Sequence, residues 1–239
     1  MTAFELAVQD TDGLAVAARL GVDRIELCSA LPLGGVTPSL ALIEAAVTHP
    51  RMPPVHVLIR PRPGGFGYSA DETALLLRDI RHAVTAGAAG VVLGGLRDGR
   101  VDTDLTLRAV DAAAGATVTF HRAFDLLPDP EEGIGILAGL GVHRILTAGG
   151  PTTVADGLPG LARLVRAAAG RIEIMAGGGV RPDLVGDLVR TGVAAIHASA
   201  KRTVPDPVAV ELGTAAGAGV TGRETTDEAE AERILAALR

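Results

Sequence analysis

Short aliphatic runs alternate along the chain with longer amphipathic stretches. The runs fall near residues 4–8, 24–27, 55–59, 91–93, 117–120, 144–146, 172–175 and 194–196. Each has the length of a strand and is apolar at most positions, as expected for strands buried on both faces of a parallel sheet. The stretches between them carry helix signals. Thr37-Pro38 offers an N-cap followed by Pro at the first helical position, and Ser69-x-x-Glu72 reads as a capping box. Asp129-Pro130-Glu131-Glu132 joins a cap, a Pro and an acidic first turn. Gly21-Val22, Gly87-Ala88, Gly141-Val142 and Gly192-Val193 mark helix ends, each Gly stopping a helix and each apolar residue leading toward the next strand.

About eight strand–helix repeats predict a single-domain α/β fold over residues 1–239, a closed (β/α)₈ TIM barrel. An open doubly wound sheet is the alternative. The Gly- and Ala-rich stretch at residues 213–222 reads as a loop in a C-terminal extension. Thr225-x-x-Glu228 then predicts the cap of a final helix ending near Leu238.

Several of the apolar runs end in polar chemistry. Phe120 is followed by His121-Arg122-Ala123-Phe124-Asp125, Ile59 by Arg60-Pro61-Arg62, and Ile196 by His197-Ala198-Ser199. Charged groups at the end of a buried strand are in use or paired. Strand parity points Glu26 and Cys28 into the barrel, with Ile25 and Leu27 outward. The same rule turns Glu5 and Ala7, Arg60 and Arg62, His121, and His197 and Ser199 inward. Catalytic groups of this fold gather at the carboxyl ends of the strands. Glu26, Arg60, Arg62, His121 and His197 are therefore the candidate catalytic set. Bland readings stand beside it: Glu26 neutralising Arg60 or Arg62, Arg122 pairing with Asp125, either histidine as a hydrogen-bonded core residue. His49, His56, His82 and His143 read as structural.

Ala176-Gly177-Gly178-Gly179-Val180 follows the seventh run, and Pro182 opens a helix. With Ser199 after the eighth run, this fits an anion site built from backbone N–H groups, or else a tight turn. Gly177, Gly178, Gly179, Ser199 and Asp125 are the candidate substrate-binding residues.

Composition removes several function classes. Aromatic residues make up 2% with no Trp, too few for a stacking platform, and the net charge of −6 opposes non-specific nucleic-acid binding. One Cys excludes an internal disulfide and fits a reducing compartment. No secretory leader and no apolar run long enough to span a membrane is read.

The motifs, taken in order, resemble the CutC family of copper homeostasis proteins. Those that match are Gly21-Val22-Asp23-Arg24-Ile25-Glu26-Leu27-Cys28, Gly34-Gly35-Val36-Thr37-Pro38-Ser39, Ile59-Arg60-Pro61-Arg62 and Tyr68-Ser69. Further along come residues 118–125, Arg144-Ile145-Leu146-Thr147, Met175-Ala176-Gly177-Gly178-Gly179 and His197-Ala198-Ser199-Ala200. The resemblance implies a cytoplasmic barrel, often a homodimer or larger oligomer, that serves copper tolerance or transport. It also implies copper as a bound ion, with Cys28 at one of the cysteine positions to which copper binding is attributed. Where such members carry a Cys in the first strand, this chain has Ala7. Copper(I) prefers soft sulfur ligands, so a second ligand here would come from another chain, His121 or His197. Two readings follow: a copper-handling protein, and an enzyme that uses acid–base chemistry on a small phosphate- or carboxylate-bearing metabolite.

Overall fold

A computed structural model describes residues 2–205 and 222–239. Eight parallel strands close into a barrel: β1 Ala3–Val8, β2 Arg24–Leu27, β3 Val55–Leu58, β4 Gly90–Leu93, β5 Thr117–Phe120, β6 Arg144–Thr147, β7 Glu173–Gly177 and β8 Ala195–Ala198. Every strand pairs with its sequence neighbour, and β1 pairs with β8 in the register Glu5 to His197. That last pairing rules out the open sheet. Each predicted run lies within two residues of an observed strand.

The intervening helices are α1 Thr11–Leu20, α2 Leu40–Val47, α3 Ala70–Ala86, α4 Thr103–Ala112, α5 Pro130–Gly139, α6 Val154–Ala168 and α7 Val185–Arg190, with α8 Glu228–Ala237 after the last strand. Ser69 and Glu72 form the predicted capping box of α3, and Asp129 caps α5 with Pro130 in its first turn. Two caps fall elsewhere. Ser39, not Thr37, caps α2, because the Thr37 hydroxyl accepts the backbone N–H of Arg60 instead. Asp227, not Thr225, caps α8, since Thr225 belongs to a strand. No helix among the described residues is long and apolar enough to cross a membrane.

The main core lies between the barrel and its helices. Phe4, Leu6, Ile25, Leu27, Val57, Leu93, Phe120, Ile145 and Ile196 all face it and are almost wholly buried. The inside of the barrel is different. TIM-barrel interiors are dominated by branched aliphatic side chains. Here Glu5, Arg24, His56, Thr119 and Arg144 share the inward positions with apolar Leu58, Val92, Leu146 and Met175, and all are buried. Arg24 Nε donates to Glu5 at 2.6 Å and its Nη2 to the Met175 sulfur at 3.2 Å; Arg144 spans from Thr119 to Glu173.

Beyond β8 the chain forms a hairpin, Lys201–Pro205 against Gly222–Thr226, before entering α8. Most of the predicted loop at residues 213–222 lies outside the described residues; Gly222 itself opens the returning strand. Ala200 turns the chain into the hairpin at φ 39°, and its carbonyl is held by the Asp227 N–H at 2.6 Å.

Candidate functional site

The carboxyl ends of the strands surround a cavity of about 380 Å³. Glu26, Arg60, His121, His197 and Ser199 line it, as the strand parity predicts, and Gly178 and Gly179 of the glycine cluster join them. Glu26 reaches it from β2, His121 from the turn after β5 and His197 from β8.

Glu5, wholly buried beneath, organises one wall. Its Oε2 accepts from Arg24, and its Oε1 lies 2.8 Å from His197 Nδ1. Burial pushes the Glu5 carboxyl up, but the His197 hydrogen bond and the charges of His197, Arg24 and His56 outweigh that and hold it at about 2. Burial pushes the His197 ring the other way, and there too Glu26 and Glu5 win, so its pKa is raised. Glu26 has no such compensation. Its Oε2 is buried with no hydrogen-bond partner in the protein. Burial first, and repulsion from Glu5 second, lift its pKa to about 7 against the pull of His197. Glu5, Glu26 and His197 each offer an atom within 4.8 Å of the others. A carboxyl poised near neutrality is suited to proton transfer.

His121 sits on the opposite wall in a different state. The N–H of Ala123 donates to its Nδ1 at 3.2 Å, which places the imidazole proton on Nε2. Its ring lies 4.7 Å from that of Phe66, and Gly94 faces it because a Cβ there would stand 2.5 Å from Nδ1. Burial, then the Arg60 charge, lowers its pKa to about 3. His121 is thus a neutral ring whose Nε2–H has no protein acceptor, rather than a proton carrier.

Arg60 is largely spent on structure. Nη1 donates to the carbonyls of Leu33 and Gly35 and Nη2 to that of Gly64, tying two loops together; only Nε is left without a partner.

Three expected positions are not on the cavity wall. Arg62 is ion-paired with Glu72 and donates to the Gly65 and Gly67 carbonyls, because β3 ends at Leu58 and the alternation ends with it. Asp125 is consumed by Arg122, the Thr147 hydroxyl and the Ala148 N–H, so the alternative Arg122–Asp125 pairing is what is observed. Gly177 serves packing, since a Cβ there would stand 2.5 Å from Leu146 Cδ1 and 3.1 Å from His197.

Gly178, Gly179 and Ser199 line the cavity together with Arg122 and Lys201. Gly178 and Gly179 take φ of 117° and 74°, conformations that favour glycine. A Cβ on Gly178 would also stand 2.7 Å from Arg122 Nη1. Lys201 reaches the cavity from the hairpin, where Glu224 pairs with its Nζ at 2.8 Å.

Cys28 is wholly buried beside Leu31, Leu58 and Val92, and its Sγ faces the Val8 carbonyl at 3.6 Å. Burial, reinforced by Glu26, pushes the thiol well above its ordinary value. Metals bind the thiolate, and copper(I) seeks a second soft donor. These surroundings do not fit a copper(I) ligand.

The sequence profile of the CutC family matches residues 2–202. A CutC family protein of Sinorhizobium medicae is 44% identical over 239 residues, covering 98% of this chain and 95% of its own. One from Glaesserella parasuis is 44% identical over 199 residues, covering 82% of each chain. Among solved structures, CutC of Streptococcus agalactiae, assigned to copper homeostasis, superposes with a TM-score of 0.80 at 33% identity, covering 83% of this chain and 99% of its own. The profile stops within the first strand of the hairpin, whereas the S. medicae relative continues through it. By motif order, barrel and relatives alike, the chain belongs to the CutC family.

Proposed function

We propose that this barrel is an enzyme acting on a small metabolite with one phosphate or carboxylate group, and that Glu26 moves the proton. The observation that carries the reading is the unpartnered, buried Glu26 carboxyl at the mouth of a closed barrel, set beside the Glu5–His197 pair. An idle carboxyl in that position costs stability, as worked out in the Discussion, so its retention calls for a use. The Gly178–Gly179 backbone, Ser199, Lys201 and Arg122 hold the anionic group at the rim. His197, fixed by Glu5, stands next to Glu26 as its partner in proton exchange. A reducing cytoplasm, where the free Cys28 thiol persists, is the compartment this reading takes.

A thermal-shift screen with phosphorylated sugars and small organic acids tests it. At a ligand concentration about 100-fold above Kd, stabilisation of about 2.7 kcal/mol is expected. Lys201→Ala should weaken that ligand and Arg62→Ala should not, since Arg62 turns away toward Glu72. No stabiliser across the panel would count against the enzyme.

Family membership favours a second reading, a role in copper homeostasis, as assigned to the S. agalactiae relative. On the chemistry around Cys28, such a role would not run through capture of copper(I) by this thiol. Wild-type protein and Cys28→Ser should therefore compete equally against a copper(I) chelator. Loss of copper on that substitution would restore Cys28 as a ligand.

A further inference from the structure

We propose that the substrate is an α-hydroxy carbonyl compound with a single anionic group, and that its reaction passes through an enediol. Glu26 removes the proton beside the carbonyl, while the Nε2–H of His121 donates to the carbonyl oxygen. This inference rests on the enzyme reading above and names its substrate class.

Two orphaned groups on the cavity walls carry it. Glu26 Oε2 and His121 Nε2 are both buried, and both lack a hydrogen-bond partner in the protein. One is a proton acceptor and the other a fixed donor. The donor role of His121 follows from geometry: the Ala123 N–H occupies Nδ1, so the ring proton can only be on Nε2. Gly94 leaves room for the ring, and Phe66 flanks it. A neutral imidazole donor opposite a carboxylate base is a recurring arrangement for proton abstraction beside a carbonyl. The pair has nothing to act on in a simple anion; it needs a carbonyl with an acidic C–H next to it.

The step balances without any further reactant. The C–H bond breaks and its proton goes to Glu26. The freed electron pair forms the carbon–carbon double bond, and the carbonyl π pair moves onto oxygen, where His121 Nε2–H stabilises it. Return of the proton to the same carbon gives exchange or epimerisation. Return to the neighbouring carbon, with a proton passing between the two oxygens, gives the isomer. Lys201 takes no covalent part, because its Nζ donates to both carboxylate oxygens of Glu224.

The test is solvent-deuterium exchange. Dihydroxyacetone phosphate and ribulose 5-phosphate are incubated separately with the protein in D₂O and followed by proton NMR, alongside thermal shifts with the same compounds. The expected result is deuterium at the carbon next to the carbonyl, well above the buffer rate, for at least one of them. Glu26→Gln should slow it about 10²- to 10⁴-fold, and Glu26→Asp should keep a part. His121→Ala should slow it about 10²- to 10³-fold, the usual loss for one oxyanion donor. His121→Gln, which keeps an N–H donor, should recover a measurable part. A thermal shift without exchange overturns the enediol route and leaves the anionic-ligand reading standing. Exchange that survives His121→Ala unchanged overturns the assignment of His121. No shift with these two or with any phosphate or carboxylate in the screen removes both the inference and the reading beneath it.

Discussion

Glu26→Gln is expected to make the protein more stable at pH 8 and, on the proposed enzyme reading, to lower its turnover about 10²- to 10⁴-fold, the usual range for a lost general acid or base. The stability half follows from linkage. The folded-state pKa of Glu26 is about 7, above the ordinary 4.5 of the unfolded chain. The folded state therefore binds this proton more tightly. Its contribution is most favourable below about pH 4.5 and is progressively lost as pH rises toward 7. A difference of that size corresponds to something on the order of 3 kcal/mol. Glutamine keeps the shape and never ionises, so the variant escapes the loss. The raised pKa of His197 contributes on the acid side and falls away with rising pH, so an alkaline comparison isolates Glu26. Urea unfolding of both proteins at pH 4 and pH 8 reads the result. Equal stability at pH 4 and a more stable variant at pH 8 are expected. A variant weaker than wild type at pH 8 would mean that Glu26 is a structural ion, not a poised acid.

Glu5→Gln should act in the opposite direction, and more severely. It leaves Arg24, 9% exposed, without its counter-charge inside the barrel, and it removes the acceptor that orients His197. Breaking one side of a buried pair costs about 3–5 kcal/mol. At about 2–4 °C per kcal/mol for a chain of this size, the midpoint should fall by roughly 10 °C. The pH profile separates this from a generic packing loss. Glu5 has a folded pKa of about 2, below the ordinary 4.5, so its contribution is present above 4.5 and disappears as pH falls toward 2. Wild-type protein should lose that increment on acidification, and the variant should not. A melting profile with the same acid slope in both proteins would contradict the role given to Glu5.

The repeat architecture was legible because buried parallel strands and Gly-terminated helices leave local marks. Strand parity is equally legible: it turns Glu5, Glu26 and His197 inward, and His121 just past the end of β5. It fails for Arg62, which lies well past the strand end at Leu58 and is held away by Glu72 and the Gly65 and Gly67 carbonyls. Arg24 carries the same signal as Glu26, two positions earlier on the same face, but it lies at the start of its strand and not at the end where site residues gather. His56 reads as structural at a strand start, and it is buried inside the barrel with Nδ1 unpartnered, where burial lowers its pKa to about 4. Other features had no local mark. Asp125 meets Thr147 and Ala148 across 22 and 23 residues of sequence, and Lys201 is brought to the rim by a hairpin closed against residues 222–226. The proton position on His121 depends on one backbone N–H in the following turn, which composition and periodicity do not report.

Charge compensation is uneven across this cavity. Arg122 and Lys201 line it with their counter-ions Asp125 and Glu224 beside them, whereas Glu26 is buried with one carboxylate oxygen lacking any hydrogen-bond partner. On the proposed reading, a guest therefore has only one favourable way round, its negative end away from Glu26. A doubly charged guest, such as a bisphosphate, would have to press its second charge toward Glu26. The cavity would thus sort metabolites by polarity from end to end, even among compounds of equal size.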